Sequence, residues 1–425
     1  MTSAVLPRRG LGAIPLMRAL HGLGLFLFGG FVFFACFAFS AASPYDVIAI
    51  PAILLWLVLG VRLYRGALPF VLLLLVYAGA TVVALMPYLD EELSTLWTVQ
   101  LVYLAVTGIF FAMFFSDEIE RRMELALKVY TASTLFSAIL GIGGYLGIIG
   151  NDELFRRYGR ASGTFQDPNV FGSFLILGAL YLMHNLLTLR ARRPVLSAIG
   201  LMVLVAGIFL SFSRGSWGSF VLATALMIGT LFVTSRSPAL RRRIAAMSVV
   251  TALLGTLALG ALLSLGTVAE TFEKRAAVTQ DYDEGETGRF GAQLRGMAML
   301  VEEPMGFGPV RWRLIFTLDP HNSYLGAFAN GGWVAGVAFL LLVVTTTWVG
   351  LRLMIVEWPC RRLAQIVVPA LLMYFLQAVQ IDVEKWRHVY MMLGMVWGME
   401  AARLVWLDRG AAPQRGAVSS ARQMV

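Results

Sequence analysis

Three stretches of the chain hold side chains whose types and spacing can do chemistry. "SFSRGSW" (211–217) puts Arg214 at the start of an apolar run, and "TGRFGAQLRGMAMLVEEP" (287–304) puts Arg289 in the first turn of an expected helix. "LDPHNSYLGAFANGGW" (318–333) puts His321, one of four histidines, beside Asn322 just before another apolar run. A guanidinium is a fixed fork of donors that keeps its charge, which suits a phosphate or carboxylate. An imidazole titrates near neutrality and can take a proton from an attacking hydroxyl or orient it. Each has a plain alternative: Arg214 as an interfacial arginine reaching for lipid headgroups, Arg289 as one charge on a solvated helix face, and "DPHNS" as a helix start capped by Asp319, Asn322 or Ser323.

The elements that must hold these groups are membrane spans. The chain has 425 residues, 58% hydrophobic and 14% charged, where a soluble domain carries about 25% charged residues. Apolar runs near the length of a span recur along it. Twelve spans are expected near 20–41, 45–63, 67–87, 95–116, 126–149, 168–188, 194–212, 215–234, 244–266, 323–349, 363–381 and 387–407. The fold class is therefore all-α, a polytopic bundle. Nine spans lie within 1–266, a large loop occupies 267–322, three spans lie within 323–407, and a disordered tail covers 408–425. The first span reads as a retained signal anchor. Cys36 and Cys360 read as free thiols without a role.

Arginine and lysine set the orientation. "LPRRG", "RLYRG", "ERRMELALK", "RARR", "RSPALRRR", "CRR" and the C-terminal tail hold most of the 34 basic residues, which places these loops and both termini in the cytoplasm. The net charge of +9 is then a topology signal, not one for nucleic acid. The first outer loops lack basic residues, but later ones do not. Arg156, Arg157 and Arg160 precede "GTFQDPNVFG", and Arg295, Arg311 and Arg313 share the long loop with Arg289. Lys385, Arg387 and His388 sit in "QIDVEKWRH". Cations on the translocated side call for an anionic ligand there. In the long loop Phe290, Leu294, Met297 and Val301 fall on one helical face, Thr287 is placed to cap it, and Pro304 disfavours helix at Glu303.

"SFSRGSW", "GRFGAQLRGMAMLVEEPMGFGP" and "HNSYLGAFANGGWVAG", in that order around a large outer loop, resemble the shared core of bacterial O-antigen ligases and O-antigen or exopolysaccharide polymerases. "GTFQDPNVFG" is similar to a stretch these proteins carry, and the motifs span roughly residues 160–340. The His-Asn pair with Gly332 ten residues after Asn322 matches the ligase pattern. The resemblance implies an inner-membrane enzyme that transfers a glycan on its periplasmic face. The donor would be a glycan on undecaprenyl pyrophosphate. The acceptor would be a hydroxyl of lipid A core for a ligase, or a second lipid-linked glycan for a polymerase. Neither nucleotide sugar nor metal nor other cofactor is implied.

On that basis Arg214 and Arg289 would clamp the pyrophosphate and His321 would activate or position the acceptor. Arg156, Arg157, Arg160, Arg295, Arg311 and Arg313 are further candidates for the donor. Asn322 and His388 could line the site. Asp167 and Asn169 could hydrogen-bond sugar or cap the span that starts at Pro168, while His21 and His184 read as structural. "DYDE" (281–284) has the spacing of a metal-holding Asp-x-Asp, but metal-dependent lipid-linked glycosyltransferases carry that pair in their first outer loop, where this chain has only Asp46. A solvated charge run is the plainer expectation. The competing class is a transporter or lipid-linked glycan flippase. It would place ionisable groups at mid-membrane within repeated halves, whereas here they gather at the outer mouth and no repeat is visible.

Overall fold

The computed structural model describes residues 13–39, 43–150, 152–264, 266, 268–270, 272, 288–316 and 319–422. A helix stands in each segment expected to span the membrane: α1 Ala13–Phe33, α2 Pro44–Leu59, α3 Leu68–Leu85, α4 Glu92–Ser116, α5 Ile119–Tyr145, α6 Pro168–Leu187, α7 Pro194–Leu210, α8 Arg214–Thr234, α9 Pro238–Leu263, α11 Ser323–Ile355, α12 Arg361–Gln377 and α13 Arg387–Arg422. The long loop adds α10, Arg289–Glu302. The described β structure is one small ribbon, Arg156–Arg157 antiparallel to Arg160–Ala161. Thr287, the metal-spaced "DYDE", and Lys274 and Arg275 lie outside the described residues.

Seven described helical stretches are long and apolar enough to cross a membrane: Pro15–Cys36, Arg65–Tyr88, Glu92–Ser116, Ile119–Tyr145, Pro168–Leu187, Arg214–Thr234 and Ser323–Ile355. Helices α2 and α7 are apolar but shorter. Helix α12 belongs to neither group, and its environment explains the difference. Leu363 to Leu371 are all at most 2% exposed, so neighbouring helices rather than lipid surround it, and it can carry Gln365, Pro369 and Gln377. The backbone of α13 continues as helix to Arg422, into the segment expected to be disordered.

Local chemistry fixes the helix starts at one end of the bundle. Ser43 and Asp46 form a reciprocal capping box on α2, and Asp167 caps α6 by accepting from the Asn169 amide, followed by Pro168 at the first helical position. Ser213 caps α8 and Asn322 caps α11 by accepting from the Leu325 amide at 3.1 Å. Packing is dense around α6, where Phe171, Phe174, Leu175 and Leu177 are fully buried. A second aromatic core joins Phe28, Phe31, Phe111, Phe114 and Phe115. In a membrane such contacts act through packing rather than exclusion of water.

Helix α11 breaks inside its length. Gly332 has φ 71° and ψ −169°, a conformation a side chain would strain. The break leaves two backbone groups for the long loop between α9 and α11. The Phe307 amide donates to Ala329 O at 2.8 Å, and the Trp333 amide donates to Pro304 O at 2.9 Å. The Asn330 side chain accepts from the Val310 amide, and the Trp333 indole donates to Leu300 O. The turn "EEPMGFGP" is thus seated across the kink. It ends α10 at Glu302, ahead of Pro304 as the sequence requires, and fixes that helix against α11. Phe290, Leu294 and Val301 remain more than half exposed. Ala292, Gly296 and Leu300 face inward. The apolar face of α10 therefore points out, the orientation that suits a lipid surface.

Candidate functional site

The site is built on the segment joining α12 to α13, residues 378–386. The residues that lead into α11 come first. Pro320 O accepts from the Gln293 side chain of α10 at 2.7 Å, and the Asn322 amide donates to Asp382 Oδ1 at 3.1 Å. Between these two anchors His321 is held at φ 43°, an uncommon conformation for a residue with a side chain. Its Nδ1 lies 3.4 Å from Asp382 Oδ2. The hydrogen bond to Asp382 raises the His321 pKa above its ordinary value, while burial and Arg289 oppose the rise. One carboxylate therefore grips both the imidazole and the backbone beside it, which fixes the ring and favours its protonated form.

Arg289 reaches this segment, and Arg214 opens a helix tied to the residue just before it. Arg289 is the first residue of α10. Its Nη1 lies 3.5 Å from Gln380 O and its guanidinium stacks on Phe290 at 4.8 Å. Its influence on His321 marks the two as electrostatic neighbours. Arg214 is the exposed first residue of α8. The next carbonyl, Gly215 O, accepts from the Gln377 side chain at 3.3 Å. Gln377 also donates to Ser219 at 2.6 Å and accepts from Ser173 at 2.8 Å, tying α6, α8 and α12 together with both of its donors and its carbonyl oxygen. Each arginine thus opens a helix, where the free amides and the helix dipole add to the guanidinium in attracting an anion. Gln377, Gln380 and Asp382 are successive anchors for α8, α10 and the start of α11.

The other expected residues divide. Arg156 and Arg157 are exposed on the small ribbon, whereas Arg160 is 5% exposed. It donates to Ser211 O at 2.6 Å and to Asn169 Oδ1 at 2.7 Å, so Arg160 and Asn169 brace α6 against the end of α7, and Asp167 serves as a cap. Arg311 pairs with Glu91 and stacks on Tyr88. Arg313 makes a two-pronged pair with Asp319 at 2.8–3.1 Å. These two tie the loop down through carboxylates. Arg295 is exposed on α10, above Phe316. His388 is not presented to the outer mouth. It is 2% exposed and packed among Phe174, Tyr374 and Trp386, because the first turn of α13 is drawn inward by the pair between Arg387 and Asp46 at 2.6 Å.

Sequence reasoning took "QIDVEKWRH" for its cations and passed over Asp382 and Glu384. The available signal was two carboxylates spaced by one residue at the mouth of a bundle with few acids. Glu384 is 8% exposed; burial, with Asp382 nearby, pushes its pKa up to about 7. Lys385 lies over the Trp97 ring at 5.1 Å, and burial lowers its pKa to about 8. Glu384 and Lys385, both shifted toward neutrality, thus stand within one short segment beside His321, whose pKa is raised. Among the described residues no three His, Cys, Asp or Glu are grouped to hold a metal ion.

Residues 199–340 match the family model described as O-antigen ligase. That stretch runs from α7 through the kink of α11 and contains Arg214, Arg289, His321 and Gly332. Over that third of the chain the protein is similar to O-antigen ligases, in line with the motifs that carry the resemblance, and its apolar helices make it a multi-pass membrane protein. No curated protein matches the chain.

Proposed function

We propose that the protein transfers a glycan from undecaprenyl pyrophosphate to a sugar hydroxyl of lipid A core, on the periplasmic face of a bacterial inner membrane with both termini in the cytoplasm. The observation that carries this is the convergence of two arginine-bearing helix N-termini and a carboxylate-gripped histidine on residues 377–382. As the anomeric bond breaks, the leaving pyrophosphate gains charge. Arg214 and Arg289, each reinforced by its helix end, stabilise it where little water competes. His321, an electrostatic neighbour of Arg289, receives the acceptor. In its neutral form it takes the hydroxyl proton, and Asp382 steadies the imidazolium that forms. The exposed apolar face of α10 lets the Arg289 helix lie at the lipid surface, where a lipid-linked donor presents its phosphates.

The spacing of Asn322 and Gly332 matches the ligase pattern and on that ground favours a ligase over a polymerase; the kink at Gly332 seats the long loop beside the site. The deciding experiment uses purified protein in nanodiscs with an undecaprenyl-pyrophosphate glycan, with and without lipid A core. A single product shift that requires the core is expected. A ladder from donor alone would make the enzyme a polymerase. Movement of labelled donor across liposomes with no glycosidic bond formed would make it a flippase.

A further inference from the structure

Glu384 is a buried carboxyl that the proposed chemistry does not use. Its Oε2 lies 2.8 Å from Ser323 Oγ. Ser323 is the first residue of α11, two positions after His321. The same hydroxyl lies 3.1 Å from Ile381 O and accepts from the Val383 amide at 2.7 Å, while the Ser323 amide donates to Ala378 O at 2.7 Å. Ser323 is thus the peg on which the 378–384 segment hangs, with Glu384 closing the loop behind it. The far side of Glu384 faces a small cavity of about 20 Å³ shared with Tyr77, Phe339 and Tyr390. No arginine or lysine pairs with Glu384 among its resolved contacts. The Tyr390 hydroxyl is spent on the Glu384 backbone carbonyl at 2.9 Å. The groups around it are Tyr77 from α3, Tyr390 from α13, Ser323 from α11, and Asp382 and Lys385 on its own segment.

We propose that Glu384 is a positioning residue for His321: its carboxyl locks Ser323 onto the segment that presents Asp382 to the imidazole. The proton count makes the lock dependent on its charge. Ser323 has one proton and two acceptors. With Glu384 neutral, the carboxyl donates to Ser323 and Ser323 donates to Ile381 O, so every partner is satisfied. With Glu384 ionised, Ser323 turns to the carboxylate and Ile381 O loses its donor. Burial and Asp382 raise the Glu384 pKa to about 7, and the Ser323 hydrogen bond opposes that rise; as pH rises through about 7 the Ser323 proton therefore shifts from Ile381 O to the carboxylate, and the segment is released at Ile381 rather than at Glu384.

The inference rests on the assignment of His321 to the acceptor side, and its test separates the two. The full-length protein in nanodiscs is treated with diethylpyrocarbonate across pH 5.5–8.5, roughly the range of His321 and Glu384 titration, and modification of the His321 peptide is followed by mass spectrometry. Only neutral imidazole reacts. In Ser323→Ala and Glu384→Ala the grip of Asp382 slackens, so His321 should titrate lower and react at least roughly threefold faster near pH 6.5. Glu384→Gln, which keeps the shape and an acceptor, should react like wild type at low pH and lose the wild-type change near pH 7. Wild-type modification in all three variants overturns the proposal. Turnover is measured in parallel. If His321→Ala turns over normally while the modification rates still respond, Glu384 keeps its positioning role and the acceptor-side assignment of His321 fails.

Discussion

Helix α12 joins two ends of the molecule that use carboxylates in opposite ways. At its start, Arg362 bridges Glu120 at 3.0 Å and Glu124 at 2.5 Å, and nearby Glu400 is shared by Arg352 and Arg403. At its finish lie Asp382 and Glu384, whose side-chain partners are a histidine and a serine. The first set matches acids with guanidiniums, and its role is to hold helices together. The second sets a histidine and a buried carboxyl side by side, both with raised pKa values. Burial alone does not distinguish them, since Glu400 and Glu384 are 4% and 8% exposed. The identity of the partner decides whether a buried acid is a brace or a working group.

The largest effect separating the two ends should come from Arg214→Ala, Arg289→Ala and His321→Ala. Each is expected to lower turnover by about a hundredfold or more, while folded protein still accumulates in the membrane. Glycan transfer by purified variants measures this. A normal rate in either arginine variant removes that residue from the pyrophosphate clamp, and a normal rate in His321→Ala reduces His321 to part of a helix start.

Asp382→Asn is a finer cut. It should lower the rate about tenfold or more and move the pH dependence in a defined direction. Asp382 is the main cause of the raised His321 pKa. If His321 acts as a base, wild-type activity rises with pH through that raised pKa, and in Asp382→Asn the rise shifts to lower pH. A wild-type rate that falls with rising pH would mean the imidazolium is the working form, and a profile unmoved by Asp382→Asn would detach Asp382 from catalysis.

At the other end, Glu124→Gln should leave turnover per folded molecule unchanged. It removes one partner of Arg362, whose side chain is 14% exposed, and should cost roughly 3 kcal/mol of stability, read as an earlier unfolding transition in detergent. Lost turnover without lost stability would erase the distinction between the two ends.

These two ends were unequally legible in the sequence. The spans, the start of α11 at Asn322 and the stop of α10 before Pro304 follow from hydropathy, capping and proline, which act over a few residues. The arginines and histidine stood out because charge at an outer mouth is unusual. Asp382 and Gln377 did not, because their meaning lies in partners 60 and 162 residues away, at Asn322 and Gly215. Arg311 and Arg313 show the same limit: as a list of cations they equal Arg289, and only the fold brings Glu91 and Asp319 to them. Gly332 was noticed for its spacing from Asn322. Its physical reason, a break that hands Ala329 O and the Trp333 amide to the long loop, needs both segments in view.

The smallest expected effect is that of a chelator, and it tests what neutralises the leaving pyrophosphate. At the described site Asp382 and Glu384 are two carboxyls one residue apart. Asp382 holds His321 and the Asn322 amide, and one oxygen of Glu384 holds Ser323. Burial also favours the proton on Glu384 up to about pH 7, which makes it a poor ligand for a hard cation. Excess EDTA should therefore leave the transfer rate within about twofold of its starting value, since the guanidiniums of Arg214 and Arg289 do what a metal would otherwise do. Loss of activity restored by Mg²⁺ or Mn²⁺ would transfer that role to an ion. The same acids would then have to be recounted as ligands, and the contrast between the two ends of α12 would become one between braced acids and metal-binding acids.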